Sequence, residues 1–326
     1  MADIFGVRVT PDLDTLSTFV ICNDPGGQVD PSVIFNGVNF LVVWSDPYYD
    51  RTPGIVAALV TPQGVIIDSS IHVGDGHDHP DVVFDGNRSL VIWHEDFLGV
   101  LGRFVNNSGQ PEDSAFVISR LTGTSTIPKV AFGSGVYLTV YADFCSTGTD
   151  LDIFGQLVSP QGQIIGSKIA IAQGSAVQSY PDVDFDGSNF FVVWQQDNHA
   201  IFSRVVSTDG LLLGDEIQVS QDTLYIREYP GVKAGPENYL VVWGEFHDDF
   251  DIYGNIDISN RIEEKSEHYI ARRYPSIISG SLDFGILPYT KIYDVMGQRV
   301  DPGDLKPGVY FFVADEQKIE KVVKLR

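Results

Sequence analysis

Residues 181–194 read PDVDFDGSNFFVVW. After the opening proline, apolar Val183 and Phe185 alternate with Asp182 and Asp184, an Asp-Gly pair follows at 186–187, and a continuous apolar run ends in Trp194. Period-two alternation marks a strand, Asp-Gly marks a tight turn, and a run rich in β-branched and aromatic residues marks a second strand with both faces buried.

The same pattern recurs along the chain. Aromatic-ended strands close at Trp44, Trp93, Tyr141, Trp194 and Trp243, spaced 49, 48, 53 and 49 residues apart, and all four tryptophans of the protein occupy this one position. A shared packing slot explains that placement, so these aromatics are read as core and not as a sugar-stacking ring. A proline opens each unit, at Pro31, Pro80, Pro128, Pro181 and Pro230. After each aromatic come a loop, a third strand of the type DIFGQLV (152–158), a turn such as SPQG (159–162) and a fourth strand such as SKIAIA (167–172). Four short antiparallel strands per repeat of forty to fifty residues specify an all-β protein, a β-propeller of five four-stranded blades. Six is the alternative, because a sixth third-strand copy lies at Asp251–Ile256 and a sixth proline at Pro275. The chain starts at a third strand, so the Asp3–Cys22 hairpin is expected to pair with strands from the far end and close the ring.

Composition agrees. The 326 residues are 43% hydrophobic and 20% charged, with 32 Gly and only 2 Met, which suits a turn-rich globular β protein and excludes disorder and coiled coil. The net charge of −23 excludes phosphate-backbone binding as a main function, and no apolar run is long enough for a membrane helix. Cys22 and Cys145 have no CxxC spacing and read as ordinary thiols. The acid is concentrated: residues 1–258 carry 10 basic and 34 acidic side chains, residues 259–326 carry 11 and 10. This contrast divides the chain into a propeller (1–258), a linker (259–275) and a small β-domain (276–326).

The last 36 residues are KIYDVMGQRV followed by DPGDLKPGVYFFVADEQKIEKVVKLR. Tyr293, Asp294 and Gly297, then Pro307, Gly308 and Tyr310, then the stretch around Lys324, resemble the C-terminal sorting domain of the type IX secretion system. The resemblance implies export and attachment at the cell surface. The blades are similar to secreted bacterial repeats of the "P.V.yDG.nylVVW" type, which imply location and fold but no activity.

Within each blade the turns of FDG and SPQG type share one rim, and the loops after the aromatic and before the proline share the other. That second rim collects His77, His79, His94, Asp96, Asp197, His199, Arg227, Glu245 and His247, five of the seven histidines among them. It is the expected ligand-binding face, for a glycan or a surface protein. The loop FHDDFD offers Asp248, Asp249 and Asp251 as oxygen ligands for Ca²⁺, although no EF-hand or nonapeptide pattern is present; no other cofactor is expected. Asp81 and Asp182, each directly after an opening proline, are the best-placed pair for a glycosidase. GxSxG, P-loop and dinucleotide-binding motifs are absent. The leading expectation is therefore a non-catalytic binding or adhesion propeller. The alternatives are a structural subunit assembling by strand exchange into a homo-oligomer or filament, and a glycoside-active enzyme.

Overall fold

The computed structural model describes residues 3–259 apart from 13, 47–53, 77, 97, 122–125, 145–149, 222, 236–237 and 248, and beyond them the segments 277–278, 291–294, 308–314 and 318–324. Every regular element among these residues is a strand. A hairpin comes first, β1 (Ile4–Val9) and β2 (Thr15–Cys22). Four four-stranded antiparallel sheets follow in strict chain order: β3 (Val29–Phe35) to β6 (Ile66–Asp75) with β4 (Phe40–Asp46) and β5 (Gly54–Val60) between them; β7 (Asp78–Phe84), β8 (Ser89–Glu95), β9 (Gly99–Val105) and β10 (Pro111–Ser119); β11 (Lys129–Gly133), β12 (Val136–Phe144), β13 (Leu151–Val158) and β14 (Ile164–Ala172); and β15 (Gln178–Phe185), β16 (Asn189–Gln196), β17 (Ala200–Ser207) and β18 (Leu212–Gln218). The fifth sheet holds β19 (Ile226–Ala234), β20 (Asn238–Phe246) and β21 (Phe250–Ser259). These five sheets are the five blades of a β-propeller, with successive first strands side by side: β3 by β7, β7 by β11, β11 by β15 and β15 by β19.

The chain divides into two compact units, Met1–Val7 with Ser17–Asn260, and Arg8–Leu16 with Arg261–Arg326. In the second unit β22 (Ile277–Ile278), β23 (Lys291–Asp294), β24 (Gly308–Ala314) and β25 (Lys318–Lys324) form one sheet in the order β22-β25-β24-β23. The motif residues Tyr293 and Asp294 lie on β23, and Gly308, Tyr310 and Lys324 on β24 and β25. Gly297 and Pro307 lie outside the described residues.

The core is a series of interfaces between consecutive blades. Each blade turns its aromatic face toward the blade before it. Trp93 packs with Leu41, Val43 and Ala57 of the first blade, Tyr141 with Leu90 and Ile92 of the second, Trp194 with Leu138 and Val140 of the third, and Trp243 with Phe191 and Val193 of the fourth. Trp44, Trp93, Tyr141 and Trp194 are fully buried and Trp243 nearly so, as the core reading requires. The Trp93 indole donates to the Asp75 carbonyl and the Tyr141 hydroxyl to Ser119 Oγ, whereas the buried indole nitrogens of Trp44 and Trp194 have no hydrogen-bond partner among the described residues. Glycines permit the closest approaches. A Cβ at Gly133 would stand 2.2 Å from the Phe185 ring of the next blade.

The hairpin departs from expectation. Among the described residues β1 pairs with β2 alone, and Ile4, Ile21 and Cys22 pack on the aromatic face of the first blade, against Trp44, Val56 and Ala58. Among the described residues, then, the hairpin pairs with no strand from the far end. It fills the position that the preceding blade takes at every other interface, because its alternation puts Ile4 and Ile21 inward and leaves Phe5, Val7 and Val20 exposed.

Candidate functional site

The opening prolines build the axial end of the loop rim. Proline has no N–H for the ladder, so pairing of the first strand with the second is interrupted there: the register shifts between Val29 and Ser32, Asp78 and Asp81, Ser179 and Asp182, and Glu228 and Gly231. In four blades the residue before the proline is a non-glycine in the left-handed region: Asp30 (φ 54°), His79 (51°), Tyr180 (51°) and Tyr229 (55°). Such a conformation costs about 1 kcal/mol or more per residue, so the bulge holds these side chains against local preference. They meet across blade boundaries. His79 Nδ1 lies 2.9 Å from Asp30 Oδ2, and the Tyr180 and Tyr229 rings pack edge to face with centroids 4.6 Å apart. The hydrogen bond to Asp30 holds the His79 pKa above the usual histidine range and, reciprocally, holds Asp30 below the usual carboxylate range.

Two residues further along the first strands stand Ser32, Asp81, Lys129, Asp182 and Gly231. Asp81 Oδ1 accepts the Ser32 hydroxyl at 2.8 Å and lies 3.9 Å from Lys129 Nζ, while Oδ2 accepts the Val130 amide at 3.0 Å. Asp182 Oδ2 accepts the Val232 amide at 2.8 Å. Each carboxylate thus fastens its own first strand to the backbone of the next blade. Burial pushes the Asp182 carboxyl up to about 6, with the Asp81 charge acting in the same direction and Lys129 opposing it. Lys129 also acts on Asp30 and His79. Asp30, His79, Asp81, Lys129 and Asp182 accordingly form one electrostatic group, contributed by the first four blades. The sequence nominated Asp81, Asp182 and His79; Asp30, Lys129, Tyr180 and Tyr229 were missed, and the position of each relative to an opening proline was the available signal.

The other nominated residues spread around the same rim. His94 is buried, with Nδ1 3.8 Å from Asp78 Oδ2, and Asp96 is half-buried. Arg227 and Glu245 are buried as an ion pair of 2.7 Å, with the Trp243 indole on the same Glu245 oxygen and His247 Nε2 2.8 Å from the other. Burial disfavours the Glu245 charge, yet the bonds from Arg227, Trp243 and His247 outweigh it and hold the pKa below the usual range. Arg227 Nη1 also donates to the His199 carbonyl, which joins the fifth blade to the fourth. Asp197 accepts the Val177 amide at 2.8 Å and, with His199, Gln196, Gln218 and Thr223, lines an open pocket of 440 Å³. The buried members of this set hold the loops together; Asp197 and His199 face the pocket. Asp249 and Asp251 are exposed, and the Asp249 carboxylate accepts the Phe250 amide of its own turn. Among the described residues no group of three or more His, Cys, Asp or Glu is gathered as a metal site needs. His77 and Asp248 lie outside the described residues.

No protein-family model matches the chain, and no curated protein matches it. Among solved structures, an α-L-arabinofuranosidase from Lactobacillus brevis is 12% identical, with a TM-score of 0.45 over 74% of this chain and 96% of that one. An endo-arabinase from Bacteroides thetaiotaomicron is 11% identical, with a TM-score of 0.43 over 72% and 94%. A thermostable family-43 glycoside hydrolase is 13% identical, with a TM-score of 0.45 over 76% and 99%. The likeness is one of fold, which the sheet topology establishes independently.

Proposed function

We propose that the propeller acts on a carbohydrate at the axial end of the loop rim, as a glycoside-active enzyme. The observation that carries this reading is the pair of unlike carboxyl environments on the first strands. Asp182 is desolvated and raised to about 6, so it holds a proton in mildly acidic solution and suits the donor to a leaving-group oxygen. Asp81 accepts from Ser32 and Val130 with the Lys129 ammonium nearby, an acceptor-only arrangement that suits the partner carboxylate. The test is hydrolysis of a panel of aryl glycosides and oligosaccharides. Asp182→Asn and Asp81→Asn should each lower kcat by at least a hundredfold with the fold intact by circular dichroism. An inactive wild-type protein across the panel removes the reading.

A second reading, glycan binding without turnover, is favoured by one observation: both Asp81 oxygens are already engaged by neighbours. Tyr180 and the exposed Tyr229 would then supply the stacking surface. Calorimetric titration with the same glycans separates binding from turnover. Export and cell-surface attachment through residues 276–326 form part of the same proposal, supported by the tail motif; deletion of that segment in the native host should abolish surface display.

A further inference from the structure

The half-blade β1–β2 has two strands where a complete blade has four, and by repeat position they are the third and fourth. Asp3 through Val9 match Asp152 through Val158 of the third blade, and Phe19 and Ile21 match Ile169 and Ile171. The packing agrees: Ile4, Ile21 and Cys22 are buried with Phe19 partly buried against them, as Ile153, Ile171 and Ala172 are with Ile169. In every complete blade the third strand pairs on its inner side with the second, yet the inner edge of β1 pairs with nothing among the described residues.

The first blade carries the matching footprint. Phe40 is 37% exposed, whereas its repeat equivalents Ser89, Tyr137, Phe190 and Tyr239 are at most 1% exposed. Val33 is 57% exposed, whereas Val82, Val130 and Val183 are each at 6%. Phe35 is exposed as well, while Phe84, Phe132 and Phe185 are partly buried. At the other interfaces these positions are covered by the first and second strands of the blade before. Here the outer half covers Trp44, and among the described residues no strand occupies the place of the inner half.

We propose that β1 and the Val33–Phe35–Phe40 face of the first blade form a docking site for a two-stranded segment of the repeat's own type: an opening proline, an acid directly after it, an Asp-Gly turn and an apolar run ending in tryptophan. The interface is the one used between all the other blades, so its chemistry is specified. The acid after the proline accepts the Val33 amide, as Asp182 accepts that of Val232, and an acid two residues later accepts the Phe35 amide, as Asp184 accepts that of Ala234. The apolar run pairs along β1 by main-chain hydrogen bonds, the strand-addition mode of recognition. A second copy of the whole chain is a poorer occupant, because two bodies each carrying −23 repel.

The test joins a copy of residues 178–199, headed by a new methionine, directly to Asp3 of the otherwise complete chain, in a Cys145→Ser background with Val33→Cys as reporter. Docking should slow thiol labelling at position 33 at least tenfold, slow amide exchange along β1 to a similar degree and raise the Tm. A graft of scrambled sequence should do none of these. If the graft impairs folding, a synthetic peptide of residues 178–196 added to the ungrafted protein reads out the same labelling and exchange. Unchanged labelling and exchange with both graft and peptide overturn the proposal. So does sedimentation of the ungrafted protein as a dimer in which Val33→Cys is already protected, since a second copy would then be the occupant. Neither outcome bears on glycoside turnover, which is assayed separately.

Discussion

The hydroxyl of Tyr137 in the third blade donates to Asp85 Oδ2 of the second at 2.7 Å, and Tyr239 of the fifth makes the same bond to Asp186 of the fourth. The other oxygen of each Asp accepts the two amides of its own turn, so one side chain shapes the turn and clamps the neighbouring blade. Tyr137→Phe should cost about 1.5–3 kcal/mol, the range for a hydrogen bond to a charged group. Asp85→Ala should cost more than Tyr137→Phe, because it also frees two turn amides. Urea unfolding checks both; equal costs would show that the turn bonds contribute nothing.

The Asp182 carboxyl gives a pH dependence whose sign is fixed. Its folded pKa of about 6 lies above the usual 3.8, so between these values the folded state binds more protons than the unfolded one, and stability falls as pH rises through that window. The loss reaches about 3 kcal/mol if the full shift is expressed. Asp182→Asn keeps an acceptor for Val232, so it should flatten this part of the stability profile and unfold at higher denaturant than wild type at pH 8. An unaltered profile between pH 4 and 7 counts against the assigned ionisation.

The Asp30–His79 pair contributes within a window bounded on both sides. The raised His79 pKa gives stability that is present in full below about 6.5 and is lost as pH rises through the folded value; the lowered Asp30 pKa gives stability lost as pH falls through its own folded value. Both side chains are about one-third exposed, so the pair contributes about 1 kcal/mol or less. His79→Gln should lower the Tm slightly at pH 5.5 and by less at pH 9, which differential scanning calorimetry resolves.

Gly133→Ala tests blade packing directly. The added methyl would meet the Phe185 ring head-on, so the variant should lose about 1–3 kcal/mol by overpacking. The same change at Gly187, whose Cβ would meet nothing within 4 Å but whose φ is +95°, loses stability through backbone strain alone. Adding Phe185→Leu should recover part of the first loss and none of the second.

The propeller was legible because its signals are local: the period, the single aromatic slot and the Asp-Gly turns each fix an element within about ten residues. The slot was also read correctly as core, since Trp44, Trp93 and Trp194 end runs that are apolar on both faces. Ring closure was not legible, because nothing in the sequence of β1 distinguishes an edge that has found a second strand from one that has not. The acids were harder still. Asp143, with Lys168 Nζ 2.6 Å from its carboxylate, and Glu245 are buried, whereas Asp249 is exposed, yet in sequence all three are loop-rim acids. Which acids are covered depends on partners from other strands of the same blade, 25 residues away for Asp143 and 18 for Glu245. Neither proline nor the residues before it announce a left-handed backbone at His79 or Tyr180.

The bonds from Asp81 and Asp182 run from an acid in one blade to a main-chain N–H in the next, and this makes their demands on sequence one-sided. Every residue except proline supplies that N–H, so positions 130 and 232 can vary widely in a mutational scan without loosing the fastening, whereas positions 81 and 182 tolerate little beyond another acceptor of the same reach. Each repeat is thus free on the side where it receives its predecessor and constrained on the side where it grips its successor, so a unit copied or exchanged within the array brings its own fastening and requires no matched partner.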